Sequence, residues 1–362
     1  MIRAAAIAVL VLELSCSPVP LGDGERRIVA RDLVSDVVEP TLDAVADRAA
    51  TLGAATETLA AAPSQTTLDT AQAAWRDARD PWKQSEAFGF GPAMQMRLGV
   101  AIDQSPIDAP KIDEELAGTA VISDAYVATL GANRKGFHAL EYLMFDGDDD
   151  AAVLAALTTD PLAERRKAYL VAIAHDLAHN AAVLRDAWET GYTLQFTDPG
   201  SDNPEYPTIK SVIDTLTNES VFLAELIANA KIGKPSGTAT GGVPAPQLEE
   251  SGPSDNSLAD MASNLRGIRA IYTGSLDGTG TRGIGQLVKQ SSPVTDRAVR
   301  EAIAAAIAAV EAIPRPYRMS LIEQRPEIAA AHDAVKELKR LLGTEVIAVL
   351  GATLKFNDND GD

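Results

Sequence analysis

His138 and Glu141 stand three residues apart in the run Gly136-Phe137-His138-Ala139-Leu140-Glu141-Tyr142-Leu143-Met144-Phe145. On a helix, positions three apart share a face. The imidazole and the carboxylate can therefore point at one target while Phe137, Leu140 and Met144 pack on a neighbouring stripe. A neutral imidazole and a carboxylate inside an apolar wall suit a divalent or ferric cation. Taken alone, a His-x-x-Glu pair is more often a core histidine held by the acid one turn away. Two features favour a site here. One is Gly136, which costs about 1 kcal/mol relative to Ala inside a helical pattern and so points to a close approach of backbones. The other is the set of acids within reach.

Glu86 is the first of these acids. Trp75, Trp82 and Glu86 recur at spacings of seven and four and share a helix face. A carboxylate on that apolar face needs a partner, because burying a lone charge is expensive. Glu86 is expected to join His138 and Glu141 around one ion, with Asp103 a weaker fourth ligand after the apolar turn at 98–102. The remaining charges of this segment, Arg76, Asp77, Arg79, Asp80 and Lys83, read as the surface of a Trp-anchored core helix.

Other motifs carry less. His175-Asp176-Leu177-Ala178-His179 puts two imidazoles four apart, but Asp176 is shorter than the usual Glu and no third ligand follows, so a solvated helix face is expected. The letters Gly278-Thr-Gly280-Thr-Arg-Gly283 match a dinucleotide fingerprint without its alternating α/β setting, and read as a loop. The acidic turn 146–150 and the tail 357–362 lack the full ligand spacing of calcium loops. Ser251, Ser254 and Ser257 have no His or Asp at a telling spacing.

The elements that must position these groups are helices. Apolar residues recur at helical spacing over 28–62, with a kink expected at Pro40, and again over 67–88. Residues 93–103 look helical, 104–118 irregular, and 119–132 helical, leading into the His138 run. Further helices are expected over 161–192, 209–231, 258–272, 295–312, 326–342 and 344–355. No run alternates as a strand would, so the fold class is all-α with bundle-like packing. The Pro- and Gly-rich stretch 234–246 is the clearest break in composition and reads as a linker or long surface loop. The expected organisation is residues 1–16 as a leader, 17–27 as a tether, 28–233 as an N-terminal helical half, 234–250 as the linker and 251–362 as a C-terminal half.

Composition narrows the partners. The net charge of −19 argues against nucleic acid and against an anionic lipid surface, which both want basic patches. The single cysteine, Cys16, excludes an internal disulfide and a cysteine-based zinc site. It follows a basic start and the apolar run Ala4–Leu12, too short to span a bilayer but right for a signal-peptide core. Ser15 before Cys16 resembles a bacterial lipoprotein cleavage site, with Glu13 a departure where an apolar residue is usual. Export to the periplasm, with a lipid anchor on Cys16, is the expectation.

With these residues together, the chain resembles the imelysin family. The resemblance rests on Gly136-x-His138-x-x-Glu141, on the Trp75 to Pro92 segment, on Lys231-Ile-Gly-Lys-Pro235, on Glu250-Ser251, on Ser254-x-Asn256-Ser257-x-x-Asp260, and on Asn264-Leu-x-Gly267 through Tyr272-x-Gly274. Asp103-Gln-Ser105-Pro106 departs from the Trp usual before that Pro. The resemblance implies two bundle-like helical parts, related by duplication, with the His-x-x-Glu face at their junction, and an exported bacterial protein linked to iron uptake. Gly136, His138 and Glu141 carry over as the motif. Asp260, Tyr272 and Ser257 are added as weaker cleft candidates. The expected function is binding of a metal ion or metal chelate, iron first and zinc second. A metallopeptidase is the first alternative, and a structural or partner-docking lipoprotein the second.

Overall fold

The computed structural model describes residues 21–147 and 149–354; the expected leader, Cys16 and the acidic tail lie outside the described residues. Among the described residues every regular element is helical and there is no strand. The first elements are α1 (Asp23–Leu33), α2 (Glu39–Ala61), α3 (Gln65–Ser85), α4 (Pro92–Gln95) and α5 (Leu98–Ile102). Then come α6 (Ala109–Ala117), α7 (Asp124–Ala128), α8 (Gly136–Phe145), α9 (Asp150–Thr158), α10 (Ala163–Ala187), α11 (Thr193–Thr197), α12 (Ile209–Leu226) and α13 (Lys234–Ser236). The chain closes with α14 (Ser257–Thr273), α15 (Ile284–Ser291), α16 (Pro293–Glu311), α17 (Tyr317–Ile322), α18 (Pro326–Arg340) and α19 (Ile347–Leu350).

Local chemistry explains the boundaries. At Pro40 the chain widens into a π-helical turn, Val34–Val38, and continues as α2 without breaking. Proline has no N–H to give the carbonyl four residues back, and widening the turn relieves the ring. The side chain of Ser64 accepts from the Thr67 backbone and starts α3 as a capping box. Pro81 lies inside α3, and the carbonyl of Asp77 that it leaves free accepts from Arg48 Nη1 at 2.9 Å. The acidic turn caps α9, where the Asp149 carboxylate accepts from Ala152 N.

Three expectations are corrected. Residues 109–117 are helical, because Asp108 caps them and Pro110 sits in the first turn, where its missing N–H costs nothing. The helix expected over 119–132 shrinks to α7, since Ser123 caps it only at Asp124 and a turn at Gly131 follows. Helices α9, α11, α13, α15 and α17 were not foreseen, being short and set among turn residues. The stretch 234–246 folds back on itself, with Ala245 N donating to Pro235 O at 2.8 Å.

Helix α2 packs along both α3 and α10, while α14 packs on α3, and α8 contacts α3 and α10. Two glycines permit the closest approaches. Gly136 opens α8 at a φ of +77°, and a Cβ there would lie 2.4 Å from Ile102 O. Gly267, mid-way along α14, lets that helix reach the backbone of α3; a Cβ would lie 2.3 Å from Gln84 O. Gly267→Ala should therefore destabilise the protein by about 1–3 kcal/mol. Gly24→Ala, where a Cβ meets nothing within 4 Å, should be neutral or slightly stabilising. Urea unfolding of both variants checks this, and equal midpoints would contradict the packing argument.

Candidate functional site

Helix α3 brings a row of charges into the interior. Arg79 is fully buried, Lys83 is 1% exposed, and both lie on the face that also carries Trp75 and Trp82. The sequence reading of these two charges as surface groups is corrected. Residues 75, 79, 82, 83 and 86 recur at three and four, so the tryptophan face and the charged face are one.

Each buried cation is saturated with acceptors. Arg79 Nη1 donates to Asp103 Oδ1 at 2.6 Å, and its other nitrogens hold Asp260 at 2.6 and 3.2 Å. Its guanidinium carbon lies 5.2 Å from the ring centres of both Trp75 and Phe137. Lys83 Nζ reaches Asp103 Oδ2 and Glu250 Oε1, both at 2.5 Å, and Glu86 Oε1 at 2.8 Å. Lys231 Nζ pairs with Glu250 Oε2 at 2.8 Å and Glu86 Oε2 at 3.4 Å. Trp82 Nε1 adds a bond to Asp103 Oδ2 at 2.7 Å.

His138 enters this network from α8. Its Nδ1 donates to Glu141 Oε2 at 2.8 Å. Glu141 Oε1 accepts from Ser254 N at 3.1 Å and Ser254 Oγ at 2.7 Å. Glu141 is thus turned onto the imidazole and does not share a target with it. Side chains three apart on a helix are near enough to bond each other. The other ring nitrogen, Nε2, is buried and pairs with carboxylates at angles off the line of a good hydrogen bond. It lies 3.2 Å from Asp103 Oδ1 and 3.9 Å from Glu250 Oε1.

The expected residues are thereby sorted. Asp103 lies at the centre, and Asp260 faces it across Arg79. Ser257 sits at the edge, its Oγ accepting from Ser251 N at 3.0 Å. Glu86 is held by Lys83, Lys231 and Asn264 Nδ2, the last at 2.6 Å, so the acid nearest Nε2 after Asp103 is Glu250. Tyr272 packs against Arg300 and Gly285 instead. It follows Asp260 by twelve residues, about a third of a turn round the helix. Glu250, Arg79, Lys83 and Lys231 were missed as site residues. The signal for the two on α3 was their three-and-four spacing among tryptophans; Lys231 and Glu250, the latter in the loop before α14, carried only their places in the segments of the family resemblance. His175 faces Glu57 and Asp124 elsewhere, at 2.9 and 3.1 Å.

Charge balance matters in such a site. Arg79, Lys83 and Lys231 face the carboxylates of Glu86, Asp103, Glu141, Glu250 and Asp260, so a neutral His138 leaves two negative charges uncompensated. Burial by itself would push the His138 pKa down. The charge of Asp103 and the contacts with Asp103, Glu141 and Glu250 outweigh burial and lift it to about 10. Burial pushes Asp103 up, but Arg79, Lys83 and His138 hold it well below the usual carboxylate range. Glu250 is depressed in the same way, chiefly by Lys231 and Lys83 against the effect of burial.

The donor set fits a metal ion. Asp103, His138 and Glu250 offer one ligand atom each, all within 4.8 Å of one another. Bonds of about 2.0–2.2 Å place neighbouring donors roughly 3–3.5 Å apart, close to the 3.2 Å seen between Nε2 and Asp103. An ion would share its carboxylates with Arg79 and Lys83 and would displace the proton on Nε2.

An all-α protein with a buried His–carboxylate cluster, pinned by arginine and lysine, is the class that fold and site define. The family model described as Peptidase M75, Imelysin, matches residues 38–344. Iron-regulated protein A of Synechococcus elongatus is 31% identical over 325 residues, covering 88% of this chain and 85% of that protein. The chain belongs to the imelysin family. The crystal structure of a protein described as an iron-regulated protein A precursor, from Parabacteroides distasonis, superposes with a TM-score of 0.79 at 25% identity, covering 92% of this chain and 96% of the other. An imelysin-like protein from Psychrobacter arcticum shares the fold at 15% identity, with a TM-score of 0.70, covering 94% of this chain and all of that one.

A group whose pKa is raised on folding stabilises the folded state below its unfolded pKa and loses that contribution as pH rises through the folded value. In chelator-treated protein, the stability gap between wild type and His138→Gln should be largest below pH 6.5 and shrink towards pH 10. Urea unfolding of both proteins across that range measures it, and a gap that does not change with pH would contradict a protonated His138.

Proposed function

We propose that this protein binds a metal ion, iron first and zinc second, at Asp103, His138 and Glu250, in bacterial iron acquisition outside the cytoplasm. The observation that carries the reading is the convergence of three ligand-type atoms, the buried His138 Nε2 with Asp103 Oδ1 at 3.2 Å and Glu250 Oε1 at 3.9 Å. Glu141 and Ser254 fix the ring so that Nε2 faces those oxygens, the arrangement in which an outer carboxylate orients a ligating imidazole. The ion supplies the positive charge that the carboxylates lack. Two relatives are named for iron regulation, which favours iron as the first ion to test.

A ligating histidine must be deprotonated, so binding competes with the proton. Isothermal titration of the metal-free protein with ferrous iron and with zinc, in buffers of different ionisation enthalpy at pH 7.5, should report one site and about one proton released per ion. Asp103→Asn, His138→Ala and Glu250→Gln should abolish binding, while Glu141→Gln should weaken it roughly 10- to 100-fold. Unchanged affinity in His138→Ala would refute this reading. Chelator-sensitive cleavage of a denatured protein, lost in His138→Ala, would move the assignment to a metallopeptidase; a folded protein that takes up no metal would leave the docking lipoprotein.

A further inference from the structure

A cavity of about 210 Å³ lies beside the ion network and is distinct from it in chemistry. Trp82, Phe88, Trp188 and Leu223 form much of its wall, and three carboxylates, Glu86, Asp103 and Glu219, also line it. Two of these acids have cations of their own: Asp103 is held by Arg79 and Lys83, Glu86 by Lys83 and Lys231. Glu219, from α12, has neither a hydrogen bond nor an ion pair among the described residues. Its neighbours are Gly89 and the charge of Glu86, and burial together with that charge pushes its pKa up to about 7. Glu219 is half-buried, and a carboxylate without a protein partner beside an apolar wall loses part of its hydration. A cation that enters with it offsets that loss.

We propose that this cavity binds a small organic ammonium ion, its amine against Glu219 and its apolar body between Trp82 and Trp188. The three parts of the cavity select that class. The acids exclude carboxylates and phosphates. The two indoles offer an apolar wall to the body that carries the charge. The volume exceeds the ~150 Å³ that holds benzene in an engineered cavity, which leaves room for one ring and a short chain. An inorganic ion would find only one unpaired ligand here and would leave the apolar wall unfilled, so an organic amine is favoured over a second metal. The inference does not need the metal site to be occupied, because Glu219 belongs to the cavity and not to the cluster around His138.

The test uses the full chain treated with chelator and three probes of one shape: 2-phenylethylammonium, the neutral 2-phenylethanol and the anionic 3-phenylpropionate. Binding is followed by Trp fluorescence and by isothermal titration. The amine should bind at least about tenfold tighter than the alcohol, the gain of one charge-assisted hydrogen bond, and the anion should not bind. Glu219→Gln should reduce the preference for amine over alcohol to less than about threefold while keeping the helical content of the wild type. Equal binding of amine and alcohol, an undiminished preference in Glu219→Gln, or no saturable binding of the amine would each overturn the proposal. The wild-type amine-to-alcohol ratio tests the preference for an ammonium ion independently of the variant, and the variant tests the place of Glu219.

Discussion

A guanidinium with no exposure to water must be surrounded by acceptors, and Arg79 sets where those acceptors lie. Its nitrogens tie α3 to Asp103 beyond α5, to Asp260 on α14 and to Ser251 in the loop before α14. Trp75 and Phe137 flank its plane, so the same residue links α3 to α8 through a ring contact. Removing one partner of such a buried pair typically costs about 3–5 kcal/mol. The segments that carry His138, Asp103 and Glu250 are thereby fixed to one another by a single side chain and its neighbours, which is the condition for holding an ion at short, defined distances.

The second constraint is electrical. Buried charges must nearly cancel, and three permanent cations do not cancel five carboxylates. The protein meets part of the difference by protonating His138, whose pKa rises because the acids around it outweigh its burial. A divalent ion in place of that proton would bring the cluster to neutrality. The Glu141–Ser254 contact then has a clear task, because it holds Nδ1 and leaves Nε2 directed at Asp103 and Glu250.

Much of this was legible in the sequence, and particular residues explain what was not. The all-α class followed from the lack of alternation, and Gly136 did mark a backbone contact, with Ile102. His138 and the weaker candidate Asp103 were singled out by residue type and spacing, and the structure brings them within 3.2 Å of each other. Glu141 and Glu86 were placed on the wrong partners, because helical spacing says which side chains share a face and not whether they bond each other or a third group. Arg79 and Lys83 were read as surface charges because such groups are rarely buried unpaired, and their partners come from as far as Asp260, 181 residues away. Glu250 lies within the irregular loop before α14, where periodicity gives no information. The helix at 109–117 was overlooked because its prolines read as breaks, although one of them sits in the first turn.

The central claim is that one ion is held at His138 Nε2 between Asp103 and Glu250. Anomalous diffraction from crystals of the full chain grown with ferrous iron, with data collected on both sides of the iron absorption edge, tests it most directly. The account predicts a single strong peak about 2.0–2.3 Å from Nε2, with oxygens of Asp103 and Glu250 at bonding distance and Arg79 still on Asp260. A peak elsewhere, or density in which Nε2 bonds only protein groups in the presence of excess iron, would contradict it.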